Sequence, residues 1–254
     1  MYIISCSKKI LVKLIMFLIN VQQNTRSHNP WHILCDFDGT ISLTDTTDHL
    51  LETFGLSGWQ DIEQQWEEGL IGSKHCMQQQ IALLDMNQQQ FYQCLDQITI
   101  DQGFLDLVQL ATLHRIPLTI VSDGLDLVIH YILSKYNLAH LPIVANHLVQ
   151  VNDRQWRLEF PNTNMACKSA SGTCKCKIAQ QHHQEHIILI GDGRSDFCLA
   201  ETADYVFAKK SLVQHCCEKQ ILHTSFTKIS EIHHALEKLL KSDFELDSSV
   251  MVLA

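Results

Sequence analysis

Asp36 and Asp38 stand two residues apart in C-D-F-D-G, where the apolar run Ile33 to Cys35 stops. A continuous apolar run ending near a glycine fits a short parallel strand covered on both faces. Alternation along an extended chain sends both carboxyl groups to one side, and Gly39 lets the backbone turn just beyond them. Two carboxylates that close cannot both stay charged cheaply, so either a divalent cation lies between them or one keeps a proton. Both arrangements serve catalysis. A lone D-x-D is also a common solvated turn, so the reading needs support from the rest of the chain.

The elements that must position such a pair are legible. After Thr40, apolar residues recur at helical spacing through four segments, Asp48 to Phe54, Trp59 to Leu70, Ser73 to Leu84 and Asn87 to Ile98, punctuated by Gly55, Gly58, Gly69, Gly72 and Asn87. This is a small helical bundle inserted directly after the first strand, placed to close over a site, exclude water and choose a substrate. The pattern then changes to alternating strands and helices. It predicts a helix over Asp101 to His114, a strand over Ile116 to Val121, a helix over Leu125 to Tyr136, and a strand pair within Ile143 to Phe160 turning at Asn152-Asp153. A helix over Lys177 to His183, a strand over His186 to Ile190, a short helix over Phe197 to Thr202 and a strand over Tyr205 to Ala208 follow. Such alternation implies a parallel sheet. Asp36, Ser122 and Asp192 then fall at carboxyl ends of strands, where open α/β sheets place their ligands.

The chain of 254 residues, 46% hydrophobic, is long enough for one core and a small accessory domain. Its net charge of −9 and the lack of a Lys/Arg stripe exclude nucleic acid as a partner. Ten cysteines at irregular spacing are no disulfide framework and point to a reducing, cytoplasmic compartment. Residues 1–28 read as a dispensable extension, with Met16 a second candidate start. The apolar run Ile10 to Ile19 is interrupted by Lys13, lacks a small-residue cleavage site before Pro30 and is too short to cross a bilayer, so membrane association is not expected. A signal or anchor is the alternative. The histidines, including His182 and His183, read as solvated helix faces.

Four stretches in order, D-F-D-G-T from Asp36, V-S-D-G from Val121 to Gly124, Lys177, and I-G-D-G-R-S-D from Ile190 to Asp196, resemble the four motifs of the haloacid dehalogenase (HAD) superfamily of aspartate-nucleophile phosphotransferases. The helical insert resembles that of its phosphoserine-phosphatase-like branch. The runs C-D-F-D-G-T-I-S-x-T-D, S-D-G-L-D and C-x6-C-x-C-K (Cys167 to Lys177) are similar to the methionine-salvage phosphatases, which hydrolyse 2-hydroxy-3-keto-5-methylthiopentenyl-1-phosphate; the likeness covers about Trp31 to Leu240. The resemblance implies an α/β fold, a Rossmann-like parallel sheet with a helical cap at 44–100 inserted into a core of 29–43 and 101–254. It also implies a Mg2+-dependent phosphomonoesterase acting on a small phosphorylated metabolite through an aspartyl-phosphate. In that scheme Asp36 is the nucleophile and Asp38 the general acid and base. Asp36, Asp192 and the Asp38 carbonyl hold magnesium, Asp196 orients the site, Ser122 and the Gly124 N–H hold phosphate oxygens, and Lys177 neutralises charge.

Alternatives stay open on the substrate and on the cysteines. Between Ile41 and Ile100 the only permanently basic residue is Lys74, against nine acids, so this segment has no arginine to grip a carboxylate and phosphoserine should be a poor substrate. Asp45 lies where phosphoserine phosphatases carry an acid for the substrate ammonium, which keeps phosphoethanolamine and phosphocholine in play. Leu56, Trp59, Trp66, Met77 and Phe91 could suit a methylthio chain. A phosphotransferase or mutase would use the same motifs, whereas a non-catalytic binding module would not need Asp36, Asp38, Lys177 and Asp192 together. Cys167, Cys174 and Cys176, with Cys198 or a histidine, could ligate zinc, but C-x6-C-x-C is no standard finger spacing and a reduced, packed loop is the expectation.

Overall fold

The computed structural model describes residues 31–239; residues 1–30 and 240–254, and with them the extension expected at 1–28, lie outside the described residues. At the centre is β1 (Trp31–Cys35), every residue of which is buried. Its alternation serves two cores at once, Ile33 and Cys35 packing into one apolar cluster and Leu34 into the other. A strand buried on both faces needs helices above and below it, and a parallel sheet supplies them through its crossovers.

The sheet runs in the order β4-β3-β2-β1-β5-β6-β7. Its members are β2 (Leu118–Leu125), β3 (Ile143–Gln150), β4 (Trp156–Glu159), β5 (His186–Gly191), β6 (Tyr205–Ala208) and β7 (His223–Ser225). All neighbours pair parallel except β3 and β4, a hairpin. β1 starts two residues before the apolar run suggested, and β2 continues past Val121 through Ser122, Asp123 and Gly124 to Leu125, its register with β3 slipping between Val121 and Leu125. The edge strand β7 and the helix before it carry too few apolar residues to announce themselves.

Between β1 and the next core helix lie α1 (Thr46–Phe54), α2 (Trp59–Glu67), α3 (Ser73–Ala82) and α4 (Gln88–Leu95). Asp45 caps α1 by accepting from the Thr47 and Asp48 N–H groups, and Asn87 and Gln90 form a reciprocal capping box at α4. The chain leaves and re-enters the core at one place, since Ser42 and Ile100 pair as an isolated antiparallel bridge. The β3–β4 hairpin buttresses this insert: Trp156 stacks on Phe91 with centroids 5.0 Å apart and donates its indole N–H to the Met86 carbonyl at 2.9 Å.

The core continues through α5 (Gly103–Leu113), α6 (Asp126–Ser134), α7 (Lys175–Gln181), α8 (Phe197–Ala200) and α9 (Lys210–Lys219). Among the described residues no helix is long and apolar enough to cross a membrane.

Candidate active site

The site lies where β1, β2 and β5 end. The Phe37 carbonyl accepts from the N–H groups of Thr40, Ile41 and Ser42, and Gly39 adopts φ +70°, so the chain folds back within four residues of the strand. A side chain at Gly39 would also collide with the Asp192 carboxylate and Lys210, so glycine is required there twice over. The turn brings Asp36 and Asp38 to one cavity of about 990 Å3, together with Ser122, Gly124 and Asp192.

Asp36 is fixed by two donors on one oxygen: its Oδ1 accepts from the Phe37 N–H at 2.8 Å and from the Lys175 ammonium at 2.8 Å. Lys175 also donates to Asp196 Oδ1 at 2.7 Å, and Asp196 Oδ2 accepts from the Asp192 and Gly193 N–H groups at 3.1 and 3.2 Å. Asp196 is fully buried. Burial, reinforced by Asp196 and opposed by Lys175, raises the Asp36 carboxyl well above the usual range. Burial works against charge on Lys175 too, but Asp196 and then Asp36 more than offset it, and the ammonium is held charged.

Lys177 is not at the site. Its ammonium donates to the Thr163 carbonyl at 3.2 Å, and Lys175 occupies the place expected for it. The reason is helical phase. α7 begins at Lys175, two residues earlier than expected, and residues two apart on a helix point about 200° away from each other. Only one of two lysines in C-K-C-K can face the sheet.

Asp38 accepts the Thr46 N–H at 2.9 Å, while burial, and then the neighbouring Asp45, push its carboxyl up to about 8. Its other oxygen lies against Gly124, where any Cβ would overlap it. The Gly124 N–H, expected to face phosphate, donates instead to Ser122 Oγ at 2.9 Å, so it is spent within the turn and the Ser122 hydroxyl is the donor left for a ligand. Asp192 pairs with Lys210 at 2.9 Å. Asp45 lines the cavity as well, but its Oδ1 is engaged in capping α1.

Residues unmarked by sequence reasoning complete the site. Asp123, between Ser122 and Gly124, accepts from Ser73 Oγ of α3 at 2.5 Å, from the Thr173 N–H at 2.8 Å and from Asn146 Nδ2 at 3.1 Å, so one carboxylate ties insert, sheet and the loop before α7. Its position in the S-D-G run was the available signal. Arg194 enters the cavity from the core side, donates to the Trp66 and Glu67 carbonyls, and lies over the Trp66 ring at 5.1 Å. Of the apolar residues considered for a substrate chain, Trp66 and Met77 line the cavity; Phe91 is fully buried in the core, Trp59 packs against that core and Leu56 is exposed.

The acids fit a hard cation. Carboxylate oxygens of Asp36, Asp192 and Asp196 lie within 4.8 Å of one another, and the burial, reinforced by the neighbouring acid Asp196, that raises Asp36 and Asp192 is what a divalent ion would offset. The cysteines sort into two thiol contacts, Cys167 with Cys174 and Cys176 with Cys198. Among the described residues, neither cluster compact enough for a metal ion contains a cysteine.

The family model for haloacid dehalogenase-like hydrolases matches residues 33–201. Two curated 2-hydroxy-3-keto-5-methylthiopentenyl-1-phosphate phosphatases are similar to this chain. That of Exiguobacterium sp. is 31% identical over 79% of this chain and 94% of its own length. That of Lysinibacillus sphaericus is 31% identical over 86% and 97%. A solved phosphoserine phosphatase, a phospho-aspartyl intermediate analogue, superposes with a TM-score of 0.62 at 19% identity, covering 81% of this chain and 98% of the other, and shares the fold.

Proposed function

The chain belongs to the haloacid dehalogenase-like hydrolase family, and from that premise we propose that it is a phosphomonoesterase of small phosphorylated metabolites, with Asp36 as nucleophile. One observation carries the reading: a buried lysine clamped between Asp36 and Asp196 beneath a cavity lined by Asp36, Asp38, Ser122 and Asp192.

Asp36 attacks phosphorus, forming an aspartyl-phosphate as the bond to the leaving oxygen breaks. With Oδ1 held by Lys175 and Phe37, the carboxylate is already oriented for in-line attack through its other oxygen. Asp38, protonated near neutrality because burial and Asp45 raise it, gives its proton to the departing alkoxide. As a carboxylate it then takes a proton from the water that attacks phosphorus, and Asp36 is released with inorganic phosphate. Ser122 holds a phosphate oxygen through its hydroxyl, and Lys175 balances charge at the nucleophile. Asp36, Asp192 and the Asp38 carbonyl would hold Mg2+, which supplies charge neutralisation at the phosphoryl group. Helices α1–α4 act as the cap.

For the substrate, the names of the relatives favour 2-hydroxy-3-keto-5-methylthiopentenyl-1-phosphate over phosphoserine, and Arg194, which lines the cavity, already spends its Nη1 on the Trp66 and Glu67 carbonyls. A second reading has its own support: Asp48, Glu63 and Glu67 line the cap side of the cavity, as an amino-alcohol phosphate would want. Specificity constants for the three compounds with Mg2+ decide among them. Phosphoserine as the best substrate overturns the choice of substrate; no phosphate released from any member of a wider metabolite panel overturns the phosphatase itself.

A further inference from the structure

At the opposite end of the sheet, where the parallel strands begin, a second group of ligating side chains converges. His32 on β1 donates its Nδ1–H to Glu185 Oε2 at 2.6 Å, and His182 Nδ1 reaches the same oxygen at 3.0 Å. The imidazole centroids are 4.1 Å apart at 65°, and all three ligand atoms fall within 4.8 Å. His32 is 4% exposed, and its Nε2 is 2.9 Å from the buried Thr119 Oγ1 on β2. His32 and His182 open onto a cleft of about 600 Å3.

We propose that His32, His182 and Glu185 form a second metal site, selective for a borderline ion such as Zn2+ or Co2+. Two imidazoles and one carboxylate are a donor set those ions accept with a coordination position left over, whereas Mg2+ prefers oxygen alone; the two ends of the sheet therefore select different metals by ligand type. The surroundings are built for it. Coordination at Nδ1 places the His32 ring proton on Nε2, and the Thr119 hydroxyl, able to donate or accept, accepts the hydrogen bond from that Nε2–H at the distance already present. Burial lowers the pKa of His32, so the neutral, ligating form prevails at neutral pH. The consequence is mechanical: His182 is the C-cap of α7, whose first residue is Lys175, so the metal would anchor to β1 the far end of the helix that carries the site lysine.

The test titrates the full-length chain, phosphine-reduced and saturated with Mg2+, with Co2+ alone. The expected result is one equivalent bound, with a visible d–d band, no thiolate charge-transfer band and a raised Tm. Thr119→Val should weaken binding about 10- to 100-fold, and His182→Ala with Glu185→Gln by more than ~100-fold. Should that pair of changes unfold the protein, the half-buried His182→Gln alone must show the loss. Absence of saturable binding, a spectrum dominated by thiolate charge transfer, or affinity unmoved in these variants each overturns the site.

Discussion

The floor and the roof of the phosphate cavity are built on different principles. The floor, at the ends of β1, β2 and β5, is an ionic lattice: Lys175 and Asp196 are almost wholly out of solvent, Lys175 bridges Asp36 and Asp196, and Asp196 in turn accepts from the Asp192 N–H. The roof is thin. Helix α2 buries none of its residues, and Arg194 grips its last turn through two backbone carbonyls and one indole face. Groups that must not move by a fraction of an ångström are thus held by burial and charge, whereas the part that must admit a substrate is held by a few surface contacts.

That contrast can be broken at the floor with the largest effects. Asp36→Asn should lower turnover by more than about 10^4-fold, since it removes the nucleophile, while Tm stays level or rises because a repelled buried charge has gone. Retention of turnover within ~10-fold would falsify the assignment. Lys175→Met should cost about 3–5 kcal/mol in denaturant unfolding, because Asp36 and Asp196 lose their shared cation in a buried place. Lys177→Met, two residues on, should cost less than ~1 kcal/mol and leave phosphate release within a few-fold. Equal effects from the two lysines would contradict the helical phase described above.

Between floor and roof stands Asp123. Asp123→Ala strands the Ser73 hydroxyl and the Thr173 N–H, while Asn146 Nδ2 keeps the Asp123 backbone carbonyl, so about 1–3 kcal/mol of stability should go, with KM rising more than kcat falls as α3 loosens. At the roof itself the expected effect is smallest. Trp66→Ala removes the face under Arg194, worth about 0.5–1 kcal/mol, and should raise KM several-fold for a metabolite substrate yet leave p-nitrophenyl phosphate nearly untouched. A kcat collapse in that variant would mean that the roof takes part in the chemistry.

What local sequence could determine, it did. An apolar run stopped by D-F-D-G leaves the chain little choice but a strand, a tight turn and two carboxyls beside its end, because those constraints act within a few bonds; Asp36 and Asp192 follow the last residues of β1 and β5 for the same reason, whereas Ser122 lies within β2, which runs on to Leu125. Tertiary structure decided the rest. Whether Lys175 or Lys177 turns inward depends on where α7 starts, and the sheet's acids settle that by offering charge to one lysine only. Asp123 looks like any acid in a strand until Ser73, Asn146 and Thr173, 50, 23 and 50 residues away, arrive around it. Arg194 was invisible as a cavity residue because a search confined to 41–100 cannot see a side chain supplied by the turn after β5. His182, read as part of a solvated helix face, meets His32 and Glu185 only because β1, β2 and β5 lie side by side and begin together. Spacing encodes contacts that span a turn of chain; contacts that span the fold exist only once packing has chosen which faces meet.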